Sequence, residues 1–239
     1  MKLLKDNVEE LQRCIPLHSI SQTFQDAVVV TRKLGFQYLW VDSLCITQDC
    51  VDDWRKESAL MGDAYKGGIC SIAATAASGS GNGLYAIRDP FSISPFTVDI
   101  SRRHCEQSYL CIRGAVRYNG FIKSPLNRRG RVYQERLLSP RTIHFSNRLF
   151  WECRELEAAE TYPMGISSDF NVEDQDEEGR IQFDLPKNSW LIDMNLNPDS
   201  RHNIWRSIVS DFVCYALAEE GDKLVAISGL VKEITYNGR

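Results

Sequence analysis

The chain lacks any run of apolar residues long enough to cross a bilayer, and it lacks an excess of basic residues. The first absence leaves a membrane-spanning helix without a candidate. The second bears on nucleic acid. Lys and Arg number 28 against 32 Asp and Glu, a formal net charge of -4, so no long-range field draws the chain to phosphate backbones or anionic lipid. A signal-type leader is missing too, because the first residues mix Lys2, Lys5, Asp6, Glu9 and Glu10 with a few leucines. A cytoplasmic setting is therefore expected, with neither nucleic acid nor a membrane span among the partners. Histidine is scarce, with four scattered singly, and of the eight cysteines Cys45 and Cys50 come nearest to a ligand pair. That pattern does not offer the grouped ligands of structural zinc, and no metal is expected. Disulfide frameworks belong to short secreted chains, so the thiols are read as reduced.

What is present suits one soluble domain with a sizeable core: 239 residues, 43% hydrophobic and 25% charged. Thr23 and Asp26 resemble a capping box, after which Phe24, Ala27, Val28, Thr31 and Leu34 recur at helical spacing until Gly35 stops the helix. Tyr38-Leu39-Trp40-Val41 is continuously apolar and short, the pattern of a strand buried on both faces, with Asp42 at its carboxyl end. A second helix is predicted from Asp52 or Asp53, carrying Trp54, Met61 and Tyr65 inward until Gly67-Gly68, and a strand follows within residues 69–74. Helix, strand, helix, strand implies an α/β front with a parallel sheet and flanking helices.

Beyond the loop Gly79-Ser80-Gly81-Asn82-Gly83 the character changes. That loop reads as a flexible turn, because no Gly-Lys-Ser/Thr follows to hold a phosphate. Strand pairs are predicted at residues 96–100 with 109–112 and at 142–145 with 149–153, the second pair turning through Ser146-Asn147-Arg148, and a short helix at 132–138. Six acids among residues 169–178 read as a solvated insertion. Amphipathic helices over residues 204–216 and 222–234 close the chain. The expected organisation is one domain over 1–239: an α/β front at 15–78, a β-rich part at 79–160, an acidic insertion loop at 161–200 and helices at 201–239, the rear forming an α+β portion.

Three segments together resemble the heterokaryon incompatibility (HET) family of filamentous fungi. The first joins Thr23-Phe24-Gln25-Asp26-Ala27-Val28 to Leu34-Gly35, to Tyr38-Leu39-Trp40-Val41-Asp42-Ser43-Leu44-Cys45-Ile46, to Gln48-Asp49, and to Asp53-Trp54 with Glu57, Met61 and Tyr65. The second is Arg129-Gly130 with Gln134-Glu135-Arg136-Leu137-Leu138-Ser139-Pro140-Arg141, His144-Phe145 and Trp151-Glu152-Cys153. The third is Asp222-Lys223-Leu224 with Ala226-Ile227-Ser228-Gly229-Leu230. The resemblance implies a domain of fungal allorecognition that triggers programmed cell death through self-association or partner proteins. It also implies a front remotely similar to TIR folds, some of which cleave NAD, so that NAD is a possible substrate and no resident cofactor is expected. Two departures stand out. The opening strand with an LSYxWG-like motif is absent upstream, as in a truncated copy, and Arg131 occupies a position where the family usually has Trp.

Ligands in open parallel sheets sit beyond the carboxyl ends of strands, which directs attention to the turn carrying Asp42, Ser43, Cys45 and Gln48. Cleaving NAD needs a carboxylate beside the ribose, as glycosidases have, and Glu57 with Asp42 are the candidate catalytic acids. Glu57 lies three residues after Trp54, loosely similar to the helix bearing the TIR catalytic acid. Arg129, Arg136 and Arg141 are candidate phosphate donors, with Gln134 and Glu135 as neighbouring ligand contacts. The plainer alternatives make Asp42 a turn cap, pair Glu57 with a neighbouring cation, and turn Gln134-Glu135-Arg136 to solvent. A Cys45 and His144 nucleophile pair is a further alternative.

Overall fold

A computed structural model describes residues 1–88, 93, 96–102, 105–111, 124–165, 198–213 and 223–236. The acidic run at 169–178 and the predicted ends at 112, 214–216 and 222 lie outside the described residues.

Helix α1 (Val8–Arg13) is followed by α2 (Gln22–Lys33), the amphipathic helix read from the sequence. Ser21 holds the N-cap position without a side-chain bond, so the capping box did not form. Asp26 turns to the glycine loop instead: its Oδ2 accepts from the Leu84 N–H at 2.8 Å, and its Oδ1 accepts from Gln22 Nε2 at 2.7 Å. Thr23 joins it, its Oγ1 donating to the Ser80 carbonyl at 2.9 Å. The loop expected to be a flexible turn is thereby fastened to α2. At the other end Gly35, with φ 82°, closes a Schellman motif in which Phe36 N–H reaches Thr31 O and Gly35 N–H reaches Arg32 O.

Residues 38–41 do not form the expected strand. They run without a ladder partner among the described residues, with Tyr38 90% exposed, while Leu39 is half-buried against the α2 side of the sheet. An apolar run marks burial potential, but a strand also needs a neighbouring backbone edge to bond. A single turn, α3 (Asp42–Cys45), follows directly, and then α4 (Val51–Gly67).

The main sheet is mixed, in the order β1-β4-β5-β6, from β1 (Ser71–Ala73), β4 (Arg141–Phe145), β5 (Leu149–Cys153) and β6 (Glu157–Ala159). Only β1 and β4 run parallel; β4-β5 and β5-β6 are antiparallel. The α/β class stands, with parallel pairing confined to that one junction among the described residues. Strands β2 (Phe96–Arg102) and β3 (Cys105–Cys111) make a separate antiparallel pair, as expected.

Register gives the main sheet two unlike faces. Ile72 stands opposite Ile143, which stands opposite Trp151; Phe145 stands opposite Leu149. Most of that apolar face meets Ala27 and Val30 of α2, with Leu84. On the other face lie Thr142, His144, Phe150 and Glu152, all buried. Helix α5 (Gly130–Leu138) covers it, and α4, α6 (Pro198–Val213) and α7 (Lys223–Tyr236) extend a second core from there. Tyr133, Leu137, Leu138, Ile204, Ile208, Phe212, Ile227 and Leu230 are buried in that core, each large side chain contributing about 1.5–3 kcal/mol. Helices α4 and α7 cross at Gly62 and Gly229, where an added Cβ on either would lie 3.1 Å from the other's Cα.

Candidate functional site

Helix α5 begins at Arg129, its N-cap, and presents three consecutive polar residues to three different neighbours. Gln134 accepts the Gly229 N–H of α7 through Oε1 at 2.8 Å. Glu135 is hydrogen-bonded to the Tyr65 phenol of α4. Arg136 donates from Nε to both carboxylate oxygens of Glu152 on β5, at 2.9 and 3.0 Å. A helix advances about 100° per residue, so successive side chains can serve α7, α4 and the sheet from a single turn. The expected solvent-facing helix is therefore corrected: Gln134 and Arg136 are buried and Glu135 is half-buried.

Arg136 belongs to a buried chain of polar groups that sequence reading missed. Glu152 Oε1 also meets His144 Nε2 at 3.0 Å, and His144 Nδ1 meets Thr75 Oγ1 at 3.1 Å. Thr75, His144 and Glu152 are each at most 1% exposed. With no surface access, the arrangement joins the segment just after β1, through Thr75, with β4 and β5 to α5 and is a structural fastening. Both His144 ring nitrogens are engaged, so the Cys45 and His144 pair does not form; Cys45 is a free exposed thiol. The alternation of Thr142, His144, Phe150 and Glu152 was the available signal, but its charged members pointed to solvent.

Glu135 lies in a second, more accessible group. Tyr65 sets its ring edge-on to Trp40, with centroids 5.6 Å apart and planes at 76°. Burial above all, and then the nearby Asp42, push the Glu135 carboxyl up to about 7; the Tyr65 hydrogen bond, Arg129 and Arg131 act the other way. Burial, Glu135 and Asp42 together hold the Tyr65 phenol far above its ordinary range. Arg129 is exposed, as is Arg131, so both charges reach water. The group thus gathers Asp42, Glu135 and Arg129 from the candidate residues, and adds Trp40, Tyr65 and Arg131.

The turn bearing Asp42 is held from two sides. Leu3 donates its N–H to the Ser43 carbonyl and accepts the Gln48 N–H, both at 2.9 Å, while Lys5 N–H reaches Asp49 Oδ1 at 3.0 Å. Asp53, in the first turn of α4, accepts the Thr47 N–H at 2.8 Å, a bond that holds its carboxyl below the usual range. Asp42 Oδ1 accepts the Ser43 N–H at 2.6 Å from inside α3, whose N-cap position is held by Val41 without a side-chain bond. Gln48 Nε2 donates to the Ile46 carbonyl at 2.9 Å. Ser43 Oγ is buried and has no hydrogen-bond partner among the described residues.

Other candidates stand apart from this group. Glu57 lies on α4 with its carboxylate 3.4 Å from Lys56 Nζ, and Arg141 reaches the Ile69 carbonyl at 3.4 Å from an exposed position. Among the described residues no set of three or more His, Cys, Asp or Glu side chains is placed to hold a metal ion. No described helix is long and apolar enough to cross a membrane.

Fold and site define an α/β domain whose polar helix α5 is fastened inward beside a small group of acids, aromatics and arginines. The family model for heterokaryon incompatibility protein (HET) matches residues 3–135, more than half of the chain, and the chain belongs to that family. The match takes in the whole of the first segment and reaches Glu135 in the second. No curated protein and no solved structure gives a significant match.

Proposed function

We propose that this chain is a cytoplasmic signalling domain of fungal self/non-self recognition, whose association with itself or with partner proteins commits the cell to programmed death. Family membership supports the setting. The observation that carries association is the stretch between α2 and α3, where Leu34, Phe36, Tyr38 and Trp40 are all exposed, with Tyr38 at 90%. Large apolar side chains gathered in one extended segment are costly in water and favour a protein contact. Expression in a filamentous fungus as a fusion to an inducible dimeriser tests this. Induced clustering should kill cells carrying the native chain and spare those carrying Tyr38→Ser with Trp40→Ser. Equal survival with and without clustering would refute the reading.

A second reading is favoured by one specific observation, the nearness of the Asp42 and Glu135 carboxyls in an aromatic and arginine-rich setting. In it the domain hydrolyses NAD, and clustering assembles or steadies the site. Loss of NAD catalysed by purified protein clustered on a support is its test, and an unchanged NAD level would reject it.

A further inference from the structure

The β2-β3 ribbon stands outside the main sheet, and no third strand joins it among the described residues. Residues 96–100 of β2 are all exposed, so neither face of the strand is covered there. Alternation sorts them by face. Phe96, Val98 and Ile100, at 56%, 36% and 42% exposure, share one side, with Thr97 and Asp99 on the other. Asp99 is engaged on its own side, its Oδ1 accepting from Ser108 Oγ at 2.6 Å, from the opposed position on β3. In an antiparallel ladder every second residue turns its N–H and C=O away from the neighbouring strand, so β2 also directs backbone donors and acceptors to its outer edge. A ribbon of two strands is marginal in water, and more strands are needed before it holds by itself.

The order of side chains says which strand fits that edge. Set antiparallel against a second copy of itself about Val98, the segment is self-complementary: Phe96 falls opposite Ile100, Thr97 opposite Asp99, and Val98 opposite its own counterpart. Apolar residues then meet apolar residues on one face, and the lone charge among residues 96–100 meets a hydroxyl. A centre one residue later would oppose two copies of Asp99, which repel. One residue earlier, Asp99 would face Pro95, which has no N–H to give.

We propose that the outer edge of β2 is where two copies of this chain join, antiparallel and centred on Val98, giving a four-stranded sheet in the order β3-β2-β2-β3. A two-fold axis at Val98 makes the contact closed, with the same edge used by both copies. Phe96, Val98 and Ile100 of the two copies form one apolar strip across the junction. This surface is separate from the exposed stretch at 34–40. The inference deepens the self-association reading, on which its purpose rests. A single short edge buries little area, so the pairing is weak in dilute solution and is promoted by the high local concentration that clustering supplies.

Sedimentation equilibrium of the purified full chain, over a range of concentrations, tests this for the native protein, for Val98→Asp, for Val98→Lys and for the two variants mixed in equal amounts. The average mass of the native protein should climb with concentration towards twice that of the monomer. Either variant alone brings two like charges together at the two-fold axis and should weaken association about tenfold. The mixture brings opposite charges together and should restore it, which variants that had merely lost their fold could not do. A native chain that stays monomeric throughout, single variants that associate as it does, or a mixture that gains nothing would each overturn the assignment. The clustering assay separates this failure from that of the signalling reading. Cells killed by induced clustering of a chain that stays monomeric in the centrifuge keep that reading and reject the β2 edge. A native dimer sensitive to the Val98 variants, whose clustering spares the cells, keeps the edge and rejects the reading.

Discussion

Replacing Glu135 by Gln should make the protein more stable, and only above mildly acidic pH. Its carboxyl is shifted from 4.5 to about 7 on folding, chiefly by burial and then by Asp42, against the pull of Tyr65 and the two arginines. For an acid raised on folding, the native state keeps its proton after the unfolded chain has lost it. Stability from this group is therefore full below pH 4.5, falls as pH rises towards 7, and is flat beyond. Working from 4.5 and about 7 at about 1.36 kcal/mol per pH unit, the loss is about 3 kcal/mol. Glutamine keeps the shape and cannot ionise. The stability difference between variant and native protein should thus grow by about 3 kcal/mol between pH 4.5 and 8, or about 6–12 °C in melting temperature for a chain of this size. Urea titrations at several pH values, compared as differences, cancel the contributions of other acids. A difference that stays flat across that range would refute a Glu135 carboxyl that holds its proton more tightly in the folded chain.

Three further outcomes follow from the packing. Arg136→Ala removes the guanidinium that pairs with the buried Glu152 carboxylate and should cost about 3–5 kcal/mol in denaturant unfolding; a loss below about 1 kcal/mol would mean water reaches the pair. Gly83→Ala sets a Cβ 2.5 Å from Asp26 Oδ2 at a φ of +74°, and calorimetry should find about 2–3 kcal/mol lost, whereas a neutral result would show that the loop is not tied to α2. Lys232→Ala removes an ion pair with Asp63 whose two side chains are 60% and 54% exposed, and should change stability by less than about 1 kcal/mol in the same assay.

Helices α2 and α4 could be read from the sequence because their apolar spacing is local, and Gly35 carried its own stop signal. The β4-β5 hairpin was legible for the same reason. Residues 38–41 misled because their composition reports a tendency to be buried, whereas a strand exists only if another backbone edge lies alongside. The polar sheet face misled in the opposite direction. His144 and Glu152 alternate with apolar residues, which on a sheet covered on one side would place them in water. Here α5 covers that face and supplies Arg136, a pairing sixteen residues distant that no periodicity announces. Of the candidate site residues, Asp42, Glu135 and Arg129 converge because α3, α4 and the start of α5 meet. Glu57 was singled out by analogy with a helix rather than by any contact readable from sequence.

The three fastenings of α5 bear on how this segment can vary. Inserting one residue ahead of Gln134 would turn the following side chains by about 100°, offering the amide to the neighbour that needs the acid and the acid to the one that needs the guanidinium. No single substitution could repair such a slip, since each partner sits on a different element. Gln134-Glu135-Arg136 therefore behaves like the bitting of a key: its members can be read only in this order and at this angle, and gain or loss of length just before them is far less tolerable than an exchange of side chains within the exposed stretch that follows α2.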